Sequence, residues 1–255
     1  MRILFIGDVF GTPGLVVTKS YLAEVRDDFD FVIVNGENVA GGFGITRKHF
    51  EGLLAAGADV VTLGNHTWDA QDAYGLLEET PRLIRPLNYP PGAPGLGHTT
   101  LGARTGERVT VVQAMGRIFL PALDCPFRAL DALLETLPAE TPVIVDFHAE
   151  ATSEKKAMGE FLAGRVAAVI GTHTHVQTAD EIVKRGTAYL TDVGMTGVQD
   201  SAIGMRFDEV LYRFTTGLPR RYKPADAPGT VCAVALTLSG ARAVQLERIQ
   251  WQAPE

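Results

Sequence analysis

The chain contains 255 residues, of which 46% are apolar, and its formal net charge at pH 7 is −7. A chain of this size and composition can bury a substantial core, and we expect residues 1–255 to form a single domain. The negative charge argues against a surface that grips duplex nucleic acid, because such surfaces need clustered lysine and arginine. The apolar run at residues 1–7 is too short for a signal-peptide core or a membrane span, and the two cysteines lack C-x-x-C spacing. We therefore expect a cytoplasmic protein that binds no membrane.

Short apolar or β-branched runs alternate with helix-like stretches along most of the chain. The predicted strands cover residues 3–6, 31–34, 60–63, 109–112, 143–145, 166–170 and 188–190. Helix start and stop signals place helices from Thr12-Pro13 onward, at about 46–57, and at about 153–164. This alternation indicates an α/β fold. The Pro- and Gly-rich segment 86–97 is predicted to be a surface loop.

Beyond Gly204 the pattern changes. Three strand-like runs follow one another without clear helical signals between them, and they cover residues 210–215, 231–238 and 243–249. Consecutive strands without intervening helices indicate antiparallel pairing. We therefore predict that the last part of the chain extends a sheet with antiparallel strands.

Most potential metal ligands fall within a few residues of the carboxyl end of a predicted strand. In chain order these polar residues are Asp8, Glu37, Asn38, Asn65, His66, His148, His173 and His175. Open α/β sheets bind their ligands at this edge. Four of the six histidines belong to the set, so sheet packing alone does not account for the clustering.

Taken one at a time, several of these residues have an ordinary structural interpretation. Asp8 suits a turn, Glu37-Asn38 suits side-chain bonds to a loop backbone, and a lone His148 is usually a hydrogen-bonded polar residue. The pair in His173-Thr174-His175 is different, because residues two apart in an extended segment point the same way and can face one centre. For this pair a metal site is the better interpretation.

The residue set combines carboxylates, amide oxygens and imidazoles without a thiolate, which suits iron, manganese, zinc or cobalt better than calcium. Two divalent ions against Asp8 and Glu37 would leave a net positive centre that suits a phosphate. A water that bridges such ions loses a proton near neutral pH and can attack phosphorus in line with the departing ester oxygen. His66, next to Asn65 but free of coordination, is the expected general acid for that oxygen. The sequence thus predicts a two-metal hydrolase of phosphate esters.

Glycine-rich segments are candidates for contact with the substrate, because glycine lets backbone amides approach a ligand closely. By their position in the chain we expect substrate contacts at Gly41, Gly42, Phe43, Gly194 and Met195. Glycine turns are common in α/β proteins, so position alone supports this expectation. Asp192 follows the strand at 188–190 and suits either an orienting partner of a histidine or an ordinary turn.

The chemical class of the substrate is suggested by the absence of arginine from the strand-end segments. A dianionic phosphomonoester usually profits from an arginine clamp. We therefore expect a small phosphodiester or nucleotide, with a phosphomonoester as the alternative. The cluster Arg220, Arg221 and Lys223 lies in a Pro- and Gly-punctuated segment and is interpreted as a solvated loop. An alternative of a different class is a regulatory module that keeps a metal site and acts through a partner surface.

Five segments together resemble the calcineurin-like metallophosphoesterase superfamily, and more closely its bacterial YmdB-like branch. They are Gly7-Asp8-Val9-Phe10-Gly11, Asn35-Gly36-Glu37-Asn38, Gly64-Asn65-His66-Thr67-Trp68-Asp69, Asp146-Phe147-His148-Ala149-Glu150 and Thr172-His173-Thr174-His175. The resemblance extends from Met1 to at least Gly197. It implies a four-layer αββα sandwich, in which two mixed β-sheets are flanked by helices.

The resemblance also implies a role for each ligand. One metal would be held by Asp8, Glu37, Asn38 and His175, and the other by Glu37, Asn65, His148 and His173, with Glu37 as the bridge. Iron or manganese is implied, with zinc as a further option, together with hydrolysis of cyclic nucleotides such as 2′,3′-cyclic AMP and assembly into a homo-oligomer. Phe10 and Glu37 stand where many members of the superfamily have histidine and aspartate, and the YmdB-like branch shares both changes.

Overall fold

The computed structural model describes residues 1–253. Within them the strands are β1 (Arg2–Ile6), β2 (Phe31–Asn35), β3 (Val60–Thr62), β4 (Leu83–Ile84), β5 (His98–Gly102), β6 (Arg108–Met115), β7 (Val143–His148), β8 (Ala168–Thr172), β9 (Ile182–Lys184), β10 (Thr187–Leu190), β11 (Thr230–Ser239) and β12 (Arg242–Gln252). The helices are α1 (Gly11–Val25), α2 (Arg47–Ala56), α3 (Asp72–Glu79), α4 (Pro126–Leu134), α5 (Thr152–Leu162) and α6 (Phe207–Thr216), with a short 3-10 helix at Arg26–Asp28. No helix within residues 1–253 is long and apolar enough to cross a membrane.

The strands form two six-stranded mixed sheets. The first has the order β12-β11-β1-β2-β3-β4, and the second has the order β5-β6-β7-β8-β10-β9. In the first sheet β1 to β4 run parallel, while β11 and β12 add on antiparallel. In the second sheet β6, β7, β8 and β10 run parallel between antiparallel edge strands. The predicted antiparallel pairing near the end of the chain is therefore confirmed for β11 and β12.

Three apolar layers hold the sheets and helices together. The central layer joins the inner faces of both sheets, where Phe5 and Ile33 of the first sheet meet Ile144 and Ile170 of the second. Helices α1 to α3 cover the outer face of the first sheet, and α4 and α5 cover the outer face of the second. Alternate residues of one strand point to opposite faces, so each central strand contributes to two of these layers. The predicted four-layer αββα sandwich is confirmed.

One predicted element is wrong. Residues 210–215 do not form a strand but lie in α6. The helix has Asp208 and Glu209 in its first turn, where carboxylates interact favourably with the helix dipole. It ends at Gly217, whose φ is 72°. Its apolar residues recur with helical spacing at positions 207, 210, 211 and 214, yet most of them are exposed. Their β-branched and aromatic character therefore gave a misleading strand signal.

The topology brings the ends of both sheets to one edge. Asp8 follows β1, Glu37 follows β2, His148 ends β7 and His173 follows β8. The loops pack so tightly there that only glycine fits at Gly171, where a Cβ would collide with the carbonyl oxygen of Thr191. The metal-ligand candidates from distant parts of the chain are therefore neighbours in space.

Loss of a large side chain from the layer between the sheets should destabilise the fold strongly. Phe5 is fully buried there, so we expect Phe5→Ala to lower the free energy of unfolding by about 3–5 kcal/mol. The control is Val16→Ala on α1, since Val16 is 57% exposed and should change stability by less than about 0.5 kcal/mol. Chemical denaturation of both variants measures the difference. Equal effects of the two substitutions would contradict the assignment of the central layer.

Candidate metal centre

Three side chains from both sheets converge on the Nε2 atom of His148. Glu37 Oε1 lies 3.0 Å from this nitrogen, Asn65 Oδ1 lies 2.9 Å from it, and His173 Nδ1 lies 3.1 Å from it. Glu37 and His148 are fully buried. The ligand atoms of Glu37, His148 and His173 all lie within 4.8 Å of one another, which is close enough to share one metal ion.

The hydrogen-bonded neighbours of His148 fix which of its nitrogens can bind a metal. Thr172 Oγ1 donates to Asp146 Oδ1 at 2.6 Å, so the same hydroxyl must accept from His148 Nδ1 at 2.9 Å. Asp146 is itself held by Thr62 and Asn35, which both donate to its Oδ2. With its proton on Nδ1, a neutral His148 presents the lone pair of Nε2 to the cluster.

The other two histidines are oriented in the same way. His173 Nε2 lies 3.0 Å from the carboxylate of Glu150, so Nε2 carries the proton and Nδ1 presents a lone pair. His175 Nδ1 lies 3.0 Å from the carbonyl oxygen of Ile203, which can only accept, so Nε2 presents the lone pair. That lone pair faces Asn38 Oδ1 at 3.2 Å. The amide of Asn38 is fixed in this orientation, because its nitrogen donates to the carbonyl oxygen of Gly42.

This arrangement gathers acceptors without enough donors to satisfy them. The buried Asp8 Oδ1 and Glu37 Oε1 have no hydrogen-bond partner within residues 1–253, although Glu37 Oε1 lies near the His148 ring. Buried acceptors left in this state are costly, and a divalent cation satisfies them. The nitrogen and oxygen donors also match the preference of iron, manganese or zinc. The residues present therefore fit a metal centre.

The pKa values in the cluster reflect burial and the close pairing of Glu37 with His148. Burial acts to raise the pKa of Glu37, but the neighbouring His148 outweighs it and lowers the pKa to about 2. Burial acts to lower the pKa of His148, but Glu37 and Asp8 outweigh it and raise the pKa to about 9. Burial and the nearby His148 lower the pKa of His173 to about 3. In protein without metal, a proton on His148 thus takes part of the place of a cation.

A buried ion pair supports the loop that carries the last two histidines. Lys155 Nζ donates to Asp192 Oδ2 and to the carbonyl oxygen of Thr172. The same Asp192 oxygen accepts from the backbone N–H and the hydroxyl of Thr174, which lies between the two histidines. His173 and His175 have positive φ angles of 96° and 66°, which are strained for residues with a Cβ. Asp192 therefore holds this backbone segment through hydrogen bonds to Thr174 and Lys155.

His66 lies beside the cluster and not inside it. Its Nδ1 is 2.7 Å from Asp69 Oδ2, so the proton on Nδ1 is directed to the carboxylate and Nε2 remains available. The backbone N–H of His66 donates to Glu37 Oε2 at 3.2 Å, which places the residue next to the proposed bridging ligand. The ring packs edge-on against Phe43, with 5.0 Å between ring centroids.

His66 also lines a mainly apolar cavity of about 420 Å³ that adjoins the cluster. The cavity is further lined by Phe10, Asn38, Gly42, Phe43, Ala202, Ile203, Met205, Val210, Phe214 and Tyr222. Gly42 and Phe43 from the predicted substrate segment therefore face it. Gly41 lines a second depression next to it. Gly194 and Met195 do not line the cavity, and Met195 is buried beneath Phe10 and Met205.

The structure adds several residues that sequence reasoning did not single out for a role. These are Gly64, Asp69, Asp146, Glu150, Lys155 and Thr172. All of these except Lys155 lie within the segments that carry the family resemblance, and that proximity was the available signal. Lys155 gave none, because a lysine on a helix is usually exposed and this one is buried. The two remaining histidines, His49 and His98, lie on α2 and β5, outside the cluster.

The αββα sandwich and this donor set define a metallophosphoesterase. Residues 4–249 match the model of the YmdB-like protein family, and the chain belongs to that family. It is 47% identical over 255 residues to the 2′,3′-cyclic-nucleotide 2′-phosphodiesterase of Bacillus subtilis strain 168, covering 98% of this chain and 96% of that protein.

Solved structures share this fold. A crystal structure of a hypothetical protein from Thermus thermophilus superposes with a TM-score of 0.96 at 49% identity, covering all of both chains. A crystal structure of a novel phosphatase from Mycoplasma pneumoniae superposes with a TM-score of 0.93 at 31% identity, covering 99% of this chain and 93% of that one. The Haemophilus influenzae NAD nucleotidase, at 13% identity and a TM-score of 0.61, shares the fold alone; the match covers 99% of this chain and 56% of that one.

A substitution at Gly64 tests whether the donors bind metal. A Cβ at this position would collide with Glu37 Oε2 and His148 Nε2, so Gly64→Ala should push two ligands apart. We expect the variant to remain folded and to lose at least about tenfold in metal affinity, measured by elemental analysis after dialysis against a weak chelator. Gly75→Ala on α3 is the control, because the nearest atom to its Cβ is 3.5 Å away. Unchanged metal content in Gly64→Ala would contradict the site.

Metal binding should depend on pH through His148. Because its pKa is raised to about 9 in protein without metal, Nε2 is protonated at neutral pH and an incoming ion must displace that proton. We expect the affinity for metal to rise as pH rises from about 6 to about 9, with release of a proton on binding. Calorimetry in buffers of different ionisation enthalpy measures the released proton. Affinity that is constant across this range would contradict the assignment.

Proposed function

We propose that the protein is a dinuclear-metal phosphodiesterase that hydrolyses 2′,3′-cyclic nucleotides. The convergence of imidazole lone pairs and unsatisfied carboxylate oxygens beside His66 carries the proposal. The relationship to the Bacillus subtilis protein supports the class of substrate, because that relative is named as a 2′,3′-cyclic-nucleotide 2′-phosphodiesterase.

We assign two metal ions to the donors already described. Asp8, Glu37, Asn38 and His175 would hold one ion, and Glu37, Asn65, His148 and His173 would hold the other, with iron or manganese preferred and zinc as a further option. When bound, such ions neutralise phosphate charge and lower the pKa of a water molecule. The buried network of Asp146, Thr172 and His148 keeps the ligands oriented throughout the reaction.

His66 is assigned as the general acid. Asp69 accepts a hydrogen bond from Nδ1–H and holds the ring, so a proton on Nε2 can be given to the departing ester oxygen. For a 2′,3′-cyclic nucleotide, a water molecule releases one proton to solvent and its oxygen bonds to phosphorus, the bond between phosphorus and the 2′-oxygen breaks, and the 2′-oxygen takes the proton from His66. The product is the nucleoside 3′-phosphate. Water then supplies the proton that returns His66 to its starting state.

The cavity supports a nucleoside as the rest of the substrate. Its volume of about 420 Å³ falls within the range typical of small-molecule sites, roughly 300–1,000 Å³. Phe43 is 44% exposed and Tyr222 lies in the same wall, so aromatic rings are available to a base. Among the described residues that line the cavity none is an arginine, which favours a monoanionic diester over a dianionic monoester.

The remaining expectations stand as proposals alongside this function. We propose that the chain forms a single domain, that it acts in the cytoplasm, and that it assembles as a homo-oligomer. Exposed apolar residues on α6, including Phe207, Leu211 and Phe214, support association with another copy.

Removal of the general acid should slow hydrolysis according to the leaving group. We expect His66→Ala to lower kcat for 2′,3′-cyclic AMP by about 10²- to 10⁴-fold, because the ribose oxygen departs poorly without a proton. The kcat for an aryl diester with an acidic phenol should fall much less, because its leaving group needs little protonation. Steady-state kinetics on both substrates with equal metal loading measures the split.

Controls separate this result from loss of the metal centre. His49→Ala, on α2 and outside the cluster, should retain full activity toward both substrates. Equal falls in kcat for the cyclic nucleotide and the aryl diester in His66→Ala would contradict the assignment of His66 as the general acid. Wild-type protein that is loaded with metal and hydrolyses no phosphodiester would overturn the proposed function itself.

A further inference from the structure

A second depression lies next to the cavity and shares a wall with it. Its volume is about 630 Å³, and it is lined by Ala40, Gly41, Phe43, Arg221, Tyr222, Lys223 and Pro224. Phe43 and Tyr222 also line the cavity beside His66. The two hollows therefore lie side by side, and two cationic side chains line the one that is farther from His66.

The basic segment is held in place by the wall of the cavity. The backbone N–H of Arg206 donates to the carbonyl oxygen of Lys223 at 2.9 Å, and that of Ala225 donates to the carbonyl oxygen of Gly204 at 2.8 Å. Met205, which lines the cavity, pairs with Pro224 in an isolated β-bridge. The segment that the sequence presented as a solvated loop is thus fixed at the rim of the proposed active site.

The charges at this rim are available to a ligand. Arg221 and Lys223 are exposed, and neither forms an ion pair with a carboxylate among residues 1–253. The nearby acidic residues Asp208 and Glu209 are instead paired with Arg206. In a chain with a net charge of −7, two unpaired cations beside the site form a local positive patch that attracts an anion.

An aromatic ring separates the patch from the cavity. Tyr222 accepts a hydrogen bond from Arg213 at 3.1 Å, and the guanidinium of Arg213 lies 5.5 Å from the centroid of its ring. Phe43 stands opposite in the shared wall with 44% of its surface exposed. Aromatic rings next to cationic side chains are the arrangement that binds single-stranded nucleotides, since bases stack on the rings and phosphates pair with the charges.

We propose that Arg221 and Lys223 form a subsite for a second phosphate group of the substrate, on the 5′ side of the nucleoside that carries the cyclic phosphate. This inference rests on the proposed function and extends its range of substrates. A second phosphate can come from a 5′-monophosphate or from the phosphodiester that links the nucleoside to a preceding nucleotide. Such substrates should bind better than a nucleoside 2′,3′-cyclic phosphate that ends in a 5′-hydroxyl.

The kinetic test compares three substrates. They are a nucleoside 2′,3′-cyclic phosphate with a free 5′-hydroxyl, the same compound with a 5′-monophosphate, and a dinucleotide that ends in a 2′,3′-cyclic phosphate. We expect kcat/KM to be about 3- to 30-fold higher for at least one of the latter two, as exposed ion pairs with two cations allow. If only the 5′-monophosphate raises kcat/KM, the subsite binds a terminal phosphate. If the dinucleotide raises it as well, the subsite also binds a phosphodiester.

Variants connect this preference to the patch. Arg221→Ala combined with Lys223→Ala should remove the advantage of the second phosphate and leave the rate on the 5′-hydroxyl substrate unchanged. The matched control is Arg220→Ala, because Arg220 lies over the ring of Tyr212 and does not line the depression. A wild-type enzyme without preference, or a double variant that keeps it, would overturn the subsite.

An equilibrium measurement keeps the subsite testable if the proposed activity fails. Binding of a nucleoside 3′,5′-bisphosphate and a nucleoside 3′-monophosphate is measured by calorimetry with metal-loaded protein. In the wild type and in Arg220→Ala, we expect the bisphosphate to bind about 3- to 30-fold more tightly than the monophosphate. In the double variant, we expect the two ligands to bind with equal affinity. Equal affinities in the wild type would overturn the subsite whether or not the protein hydrolyses any diester.

Discussion

The convergence of hydrogen-bond acceptors without matching donors at one edge of the two sheets is the constraint that organises this protein. Each of three imidazoles directs one ring N–H to an acceptor outside the cluster: Thr172, Glu150 or the carbonyl oxygen of Ile203. The remaining lone pairs face carboxylate and amide oxygens. Such a cluster is stable only when positive charge enters it, because buried acceptors that lack a partner are costly. The arrangement of these loops therefore fits a bound cation.

The fold supplies the rigidity that this arrangement needs. The candidate ligands follow strands of both sheets, and a large apolar layer joins those sheets and holds the two halves of the site together. Buried polar contacts then fix the finer geometry. Asp146 bridges the sheets by accepting from Asn35 and Thr62 of one and Thr172 of the other. Lys155 and Asp192 hold the strained segment that carries His173 and His175.

The sequence predicted the metal-ligand candidates of the site better than the residues that hold them in place. Strand ends are readable from apolar runs, so Asp8, Glu37 and His148 could be placed at one sheet edge before their partners were known. Gly64 and Lys155 could not be given a role, because their importance depends on contacts between distant segments. The run at 210–215 was misassigned because exposed aromatic and β-branched residues on α6 resemble a strand. The basic segment at 220–223 looked isolated in the sequence, and its place beside the cavity follows from backbone pairing with 204–206.

Glu37 is central to the proposed function, because it would hold both metal ions of the cluster. Elemental analysis of protein reconstituted with manganese and then freed of excess metal tests this claim, with Glu37→Gln compared with the wild type. Glu37→Gln keeps the size of the side chain but removes the charge that a bridging ligand supplies. We expect about two ions per chain in the wild type and loss of both in Glu37→Gln. One ion or none in the wild type, or two retained by Glu37→Gln, would contradict this claim.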